Sequence, residues 1–509
     1  MNVATTFLAV VIFSVPAIGA TIYVPDDHGM IQWAIDAAAD GDTIIVRPGT
    51  FFENIDYYGK AITVRSEKGA AVTTIDGKQS GSVVTFISGE GPDSILDGFT
   101  IFNGRNLGGG IRCMGSSPTI RNNTIRANFG TGYSWGGGGI SCWSSSPLIE
   151  KNSIMGNRTT EYDGIGGGID CKAFSSPTII GNTIKGNRAD EGGGIACTDY
   201  SSPIIAANRI EGNEATSSHG GGIFLAHRCE PLIANNMIVG NTAPYGAGIT
   251  VSEYCSVTIA NTTIADNSGA RSVGAILVWG HCTVTVVNSI VWKNDDDDGI
   301  EISLYDNAPP YTTLWISHSD LEEGLASIHV ETGCTVNWGA GMIDSDPRFA
   351  DTGAGDYHIT ALSACRNAGD DSAVVDAEDF EGDPRCFDTV DMGADEFYYH
   401  LYHVGVVRPG WAIEIKVVGY SNPPAPVTLA FGNDLADPPI PTMHGDLYLA
   451  WRPIWYGFIG RIPQSGILSL AATVPSGWSL GDQHLFQALV GPWGGQPTRL
   501  TNLMALTVE

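Results

Sequence analysis

At 509 residues the chain can bury a large core and carry more than one domain. Its 26 Lys and Arg stand against 55 Asp and Glu, a net charge of −29. A surface that acidic argues against nucleic acid, anionic lipid and, without a bridging cation, acidic polysaccharide as partners.

The chain opens on an apolar run, Thr5 to Ala17, too short to span a bilayer and ending in the small residues Ala17-Ile18-Gly19-Ala20. It predicts a secretory signal peptide over residues 1–20 and an exported protein, although no Lys or Arg precedes the run. No other run is long and apolar enough to be a membrane-spanning helix. Next, Ile31, Ala34, Ile35 and Ala38 share one helical face, and Gly41 supplies a stop. That helix is expected to cover the open N-terminal edge of the fold.

Between Gly108 and Asn294 a unit of about 27 residues recurs seven times. Its first Ile falls at 111, 140, 169, 195, 223, 249 and 276, and most copies read Gly-Gly-Gly-Ile-x-Cys, then Ser-Pro-x-Ile-x-x-Asn-x-Ile-x-x-Asn or a close variant. Short β-branched runs cut by Gly, Asn and Pro exclude helical repeats. Each copy has room for three short strands and exposes an apolar face that only stacking can bury. The chain is therefore all-β, a β-solenoid over residues 21–340. Asn123, Asn152, Asn182, Asn208, Asn236, Asn261 and Asn288 recur between the second and third strands and should stack into an amide ladder.

This pattern resembles the right-handed parallel β-helix proteins, the pectate-lyase-like superfold with an internal Asn ladder. The phrase Gly41-Asp42-Thr43-Ile44-Ile45-Val46-Arg47-Pro48-Gly49-Thr50-Phe51 looks like the first coil of many exported bacterial members. The resemblance implies a fold and leaves activity open, because the scaffold serves lyases, hydrolases, adhesins and passive binders alike. Farther on, Asp344-Ser345-Asp346-Pro347-Arg348-Phe349, Gly355-Asp356-Tyr357-His358, Gly382-Asp383-Pro384-Arg385 and Val390-Asp391-Met392-Gly393-Ala394 resemble the choice-of-anchor Q module. It implies a closing segment over residues 341–398, with Ala364 and Asp395 departing from the family's usual Pro and Tyr. From residue 399 to 509, alternating strands such as Ala412 to Val418 and Ile467 to Val474 predict a small β-sandwich.

Asp344 to Glu396 holds 15 acids against three Arg. These carboxylates either solvate the surface or collect Ca²⁺, the one cofactor the composition suggests. The Gly-Gly-Gly-Ile turns lack the aspartates of calcium-binding repeat-in-toxin turns except at Asp170.

Two places on such a scaffold are free to carry chemistry. One is the set of insertions before each Gly-Gly-Gly, which bring Trp135 and Tyr162. The other is the strand and turn after it. Alternation points Arg112, Met114, Trp143, Asp170 and Lys172 outward; Asp199, Tyr200, His227 and Arg228 lie near a turn. Trp135, Trp143, Tyr162 and Tyr200 offer flat apolar faces to sugar rings. Asp170, Lys172, Asp199, His227 and Arg228 are the candidate catalytic groups, since a lyase needs a base and a cation beside the uronate. The polygalacturonase and pectate-lyase signatures are missing, although Gly280-His281-Cys282 comes near one. The expected function is glycan or cell-envelope polymer binding without catalysis; the alternatives are a polysaccharide lyase or glycoside hydrolase, and a structural coat protein. Close approach of Asp170, Lys172, Asp199 and His227 in one cleft would favour an enzyme.

Seven of the ten cysteines fall into two repeat columns, Cys113-Cys142-Cys171-Cys197 and Cys229-Cys255-Cys282. Parallel rungs hold Cβ atoms about 1 Å too far apart for an unstrained disulfide. Cys365 with Cys386 is the pair an exported chain could join. The seven repeat thiols are expected to be reduced and shielded. Alkylation followed by mass spectrometry should reach few of them in the native protein and all seven after denaturation. Recovery of a Cys142–Cys171 disulfide peptide would overturn this.

Overall fold

The computed structural model describes residues 19–131, 136–159, 164–270, 273–294, 299–360, 362–382, 385, 389–397 and the backbone of strands between 400 and 507. All but the last two residues of the expected leader lie outside these, as do Trp135, Tyr162 and Cys386.

The three strands of each repeat go to three different parallel sheets. Ile111–Met114 belongs to an 11-stranded sheet, Thr119–Arg121 to a 13-stranded sheet and Thr124–Arg126 to a second 11-stranded sheet. Each strand pairs with its counterpart one coil on, so Ile111 meets Ile140, which meets Ile169, which meets Ile195. The 13-stranded sheet runs from Thr21–Val24 to Thr335–Trp338. A fourth row was not anticipated. Arg188–Ala189, Glu214–Ala215, Thr242–Ala243 and Ser268–Gly269 also pair coil to coil at the root of the insertions.

Period-two alternation turns one side of every strand into a common core. The Ile column is wholly buried, as is Cys113-Cys142-Cys171-Cys197, which continues through Leu225 and Val251. Helix Ile31–Ala37 buries Ile31, Ala34 and Ile35 in the same core as Val24, Ile44 and Ile55. All seven repeat cysteines are free and buried. The second column does more than fill space: the Cys229 backbone N–H donates to Cys255 Sγ at 3.2 Å, and that of Cys255 to Cys282 Sγ at 3.3 Å. These thiols continue a row begun by serines, in which Ser145 N–H donates to Ser175 Oγ at 3.1 Å.

Two asparagine ladders run through the stack. In the first, Asn123, Asn152, Asn182, Asn208 and Asn236 each pass a side-chain bond to the next, at 3.0–3.1 Å. Asn261 and Asn288 do not continue it. They stand one residue early, at the left-handed position (φ 46° and 51°), and Thr262 and Ser289 take the ladder's place. Their spacing to the next Ile misled because those two coils put the left-handed Asn, and not the inward one, in the repeat. The second ladder is longer: Asn128, Asn157, Asn187, Asn213, Asn241, Asn267 and Asn294. Glu301 ends it, accepting from the Asn294 backbone at 3.0 Å and its amide at 2.8 Å. Burial pushes the Glu301 carboxyl up to about 8.

The segment after residue 341 lies along the flank of the third sheet. That sheet's outward residues are Arg209 and Glu211 in one coil and become largely apolar in those that follow, with Met237, Val239, Ala265, Ile290 and Trp292. Tyr357 and Ala394 pack on the first three of these, Ile359, Cys365 and Met392 on the last two. Two asparagines off the ladder serve this docking: Asn235, at the left-handed position before Asn236, donates to Glu378 O, and Asn288 both donates to Asp370 O and accepts from Asp370 N. Cys365 is a buried free thiol that donates to Asp320 Oδ2 at 3.0 Å. Beyond residue 399 the strands are antiparallel, with Ala412–Val418 between His400–Val404 and Ile467–Thr473, and Pro426–Gly432 between Trp455–Arg461 and Gln483–Val490.

The ladders make a sharp prediction. Replacing Asn213, which holds Ile184 O and Asn241 Oδ1 and accepts from Asn187, orphans several buried groups. Asn213→Ala should cost about 3 kcal/mol or more. The Asn261 amide is buried with no hydrogen-bond partner among the described residues, and Ala207, in register with it two coils earlier, shows that alanine tolerates that position. Asn261→Ala should therefore cost less than about 1 kcal/mol. Urea unfolding of both variants decides; equal losses would mean that the ladder contributes nothing special.

Candidate functional site

The turn after the first sheet repeats an unusual backbone. In five successive coils two consecutive residues take positive φ: Ala173 and Phe174, Asp199 and Tyr200, His227 and Arg228, Glu253 and Tyr254, Gly280 and His281. Stacking these turns in register lines up two columns on the surface. One is Asp199, His227, Glu253, Gly280 and, a coil later, Asp306. The other is Phe174, Tyr200, Arg228, Tyr254 and His281.

Acidic side chains alternate with Lys172 and His227 beside and along the first column. Lys172 Nζ is 3.6 Å from Asp199 Oδ2, His227 Nδ1 is 3.6 Å from Asp199 Oδ1, and His227 Nε2 is 2.6 Å from Glu253 Oε2. Rings and a guanidinium stack along the second. Phe174 lies on Tyr200 with centroids 5.1 Å apart and planes at 12°. Arg228 sits between Tyr200 and Tyr254, 5.8 and 5.3 Å from the two rings, and Tyr254 meets His281 at 4.8 Å. Lys172 also lies over the Trp143 ring at 6.0 Å. The sequence candidates Lys172, Asp199, His227, Arg228, Tyr200 and Trp143 thus meet on one continuous face.

Asp170 does not join them. Alternation points it outward as expected, yet it is 1% exposed. The Gly-Gly-Gly turns fold back over the outward column of the first sheet and cover it. Gly166 is at φ +66°, and a Cβ there would lie 2.7 Å from Asp170 Cβ; one on Gly167 would lie 2.5 Å from Gly193 O. Only glycine permits this closeness. Oδ1 of Asp170 is buried without a hydrogen bond among the described residues, and burial drives its carboxyl up to about 8. A proton donor or metal ligand reaching substrate needs access, which Asp170 lacks.

Both columns lead into a cleft of about 620 Å³ over the later coils. Glu253, Tyr254 and His281 form its floor at the turn, and Trp279 and Tyr305 rise from the strands. His219 and Tyr245, stacked at 5.3 Å, reach in from the insertions; Asp306, Asn307 and Ala308 close one end. Asp306 is held by donors: Oδ2 accepts from the backbones of His281 and Thr312, at 2.8 and 3.0 Å, and from the Thr312 hydroxyl at 3.1 Å. Burial alone would raise its carboxyl, but these bonds outweigh burial and keep it below the ordinary range.

The sequence reading missed Glu253, Tyr254, Trp279, Tyr305 and Asp306. The signal was present in the register: Glu253 occupies in its coil the place of Asp199, and Tyr254 that of Tyr200. What no alignment of repeats supplies is the wall of residues 306–308, which turns a flat face into a cleft.

The model of the right handed beta helix region matches residues 54–243 and 206–338, more than half of the chain. The chain belongs to the right-handed β-helix family. Among solved structures it is similar to pectate lyase Pel9A, with 14% identity and a TM-score of 0.42 over 74% of this chain and 96% of that one. It is also similar to the enzymatically active domain of bacteriophage CBA120 tailspike protein 4, with 12% identity and a TM-score of 0.28 over 92% of this chain and 64% of that one. No curated protein sequence matches it.

The buried Asp170 has a measurable signature. A carboxyl raised to about 8 keeps its proton when folded and loses it when unfolded, so its contribution is complete below the unfolded value and is lost as pH rises through about 8. Asp170→Asn removes that loss. The variant's melting temperature should gain on the parent's by a few degrees between about pH 5.5 and about pH 8.5. A difference independent of pH would exclude Asp170 as its source.

Proposed function

We propose that this protein is an exported β-helix that binds a neutral glycan along the aromatic face and in the cleft, without cleaving it. The observation that carries the reading is the ladder Phe174-Tyr200-Arg228-Tyr254-His281 running into a cleft with Trp279 and Tyr305. The stacked column offers apolar ring edges at one-coil intervals, Trp279 and Tyr305 add aromatic surface in the cleft, and Glu253, His281 and Asn307 offer partners for sugar hydroxyls. The net charge of −29 and the carboxylates of the cleft disfavour a uronan. The signal peptide at residues 1–20 accounts for export. Helix Ile31–Ala37 then serves as the lid of the first coil, residues 341–398 as the choice-of-anchor Q segment, and the C-terminal strands as a sandwich beyond it.

A hydrolase is the second reading, and one observation favours it. Glu253 and Asp306 hold the same turn position two coils apart, about 10 Å between backbones, with Gly280 between them. Inverting glycosidases hold their carboxyl groups about 6.5–9.5 Å apart. Against it, Asp306 Oδ2 already accepts three hydrogen bonds and Glu253 is paired with His227. A general base so engaged has little freedom to take a proton from water.

Calorimetric titration of neutral oligosaccharides into the mature protein tests the proposal. Tyr254→Ala and Trp279→Ala should each weaken binding about tenfold, the loss expected for one stacked ring. Asp170→Asn should leave it unchanged. A folded protein that binds no glycan on an array would refute the reading. Reducing ends that form in the presence of Ca²⁺ and vanish in Glu253→Gln would replace it with the hydrolase.

A further inference from the structure

Away from the cleft, three pieces of the segment that flanks the solenoid converge on one imidazole. His358 lies in the strand Asp356–Ile359, Glu381 in the following turn region and Asp395 near the segment's end. One ligand atom from each of the three lies within 4.8 Å of the others. Nε2 of His358 is 3.2 Å from Glu381 Oε2. Two ligands on one tetrahedral zinc ion sit about 3.4 Å apart, given bonds of about 2.0–2.1 Å. Asp356 Oδ1 takes the opposite ring nitrogen, Nδ1, at 2.5 Å. A carboxylate behind the imidazole fixes the tautomer and aims Nε2 forward, as carboxylates do behind metal-bound histidines.

The second observation is Asp395 itself. It is 2% exposed, and its one hydrogen bond among the described residues comes from the Ile359 backbone to Oδ2, at 2.9 Å. Its other oxygen accepts no hydrogen bond from the described residues. A carboxylate so enclosed is costly unless a cation faces it. Around it, Asp379, Asp391 and Glu396 are buried too, and Arg385 is the buried guanidinium among them. Glu381 is exposed, leaving the group open to an ion from solvent.

We propose that His358 Nε2, Glu381 and Asp395 bind one divalent ion of the zinc class, with Asp356 as the positioning residue behind the imidazole. The donor set selects the class. An imidazole nitrogen with two carboxylates suits zinc and its neighbours, whereas calcium takes six to eight oxygens. The ion ties together three stretches of the flanking segment. The same strand already meets the solenoid through Tyr357 Oη, which donates to Asp266 Oδ2 at 2.7 Å. Its work is structural, holding the segment on the third sheet.

Zinc chloride alone is the probe, added to metal-stripped full-length mature protein in competition with a chromophoric chelator. The expected result is one zinc equivalent that disappears in both His358→Ala and Glu381→Gln, with circular dichroism unchanged. Glu381 is exposed, so its variant should fold even if the histidine variant does not. Zinc should also slow proteolysis within residues 344–397 of the parent and not of Glu381→Gln. No bound zinc, zinc retained in full by Glu381→Gln, or calcium binding in preference to zinc would each overturn the proposal.

Discussion

Parallel coils stacked about 4.8 Å apart lay every residue over its own counterpart, and the rest of the structure depends on that register. A residue tolerated once must be tolerated next to itself. Buried asparagine meets the condition well, since its amide donates to one neighbour and accepts from the other while the second N–H reaches a strand carbonyl. Serine, threonine and cysteine satisfy it, at another corner and at the end of the first ladder, by accepting a backbone N–H from the coil before. A charge does not, which is why the ionisable groups lie outside and alternate acid with base, as Lys172, Asp199, His227 and Glu253 do.

The same register builds the functional face. A turn with two left-handed residues per coil is a minor local feature; repeated, it displays a row of side chains at fixed intervals. Rings in that row stack on one another and on Arg228, which fixes their positions. Preorganised surfaces of this kind lose little entropy on binding. The cleft arises where the regularity breaks, at the longer turn of residues 306–312, and not where it is strictest.

The flanking segment shows how a solenoid acquires a second layer. Once Met237, Val239, Ala265, Ile290 and Trp292 replace polar residues on the outside of the third sheet, that face must be covered. Tyr357, Ile359, Met392 and Ala394 cover it. The off-ladder Asn235 and Asn288, awkward as members of the stack, become backbone partners for the incoming chain.

The repeat made the architecture legible without coordinates. The recurring Ile, Cys and Asn imply three strands per coil, inward columns and a ladder, because in-register stacking is the one way such a unit buries its apolar side. Alternation also placed Trp143 and Lys172 correctly on the surface. Tertiary structure alone decided the remainder. Asp170 points outward by alternation and is nevertheless buried, since the covering turn comes from Gly137 and Gly166 and its path depends on neighbouring coils. Asn261 and Asn288 match the repeat in spacing and fall out of the ladder by one residue, a shift that only backbone φ reveals. The cleft joins Tyr254, Trp279 and Asp306 from three coils with His219 and Tyr245 from the insertions, and the His358 group joins residues up to 37 apart. Periodicity specifies what repeats within a coil; it says nothing of where irregular turns and a returning chain come to rest, because those positions are set by packing across coils.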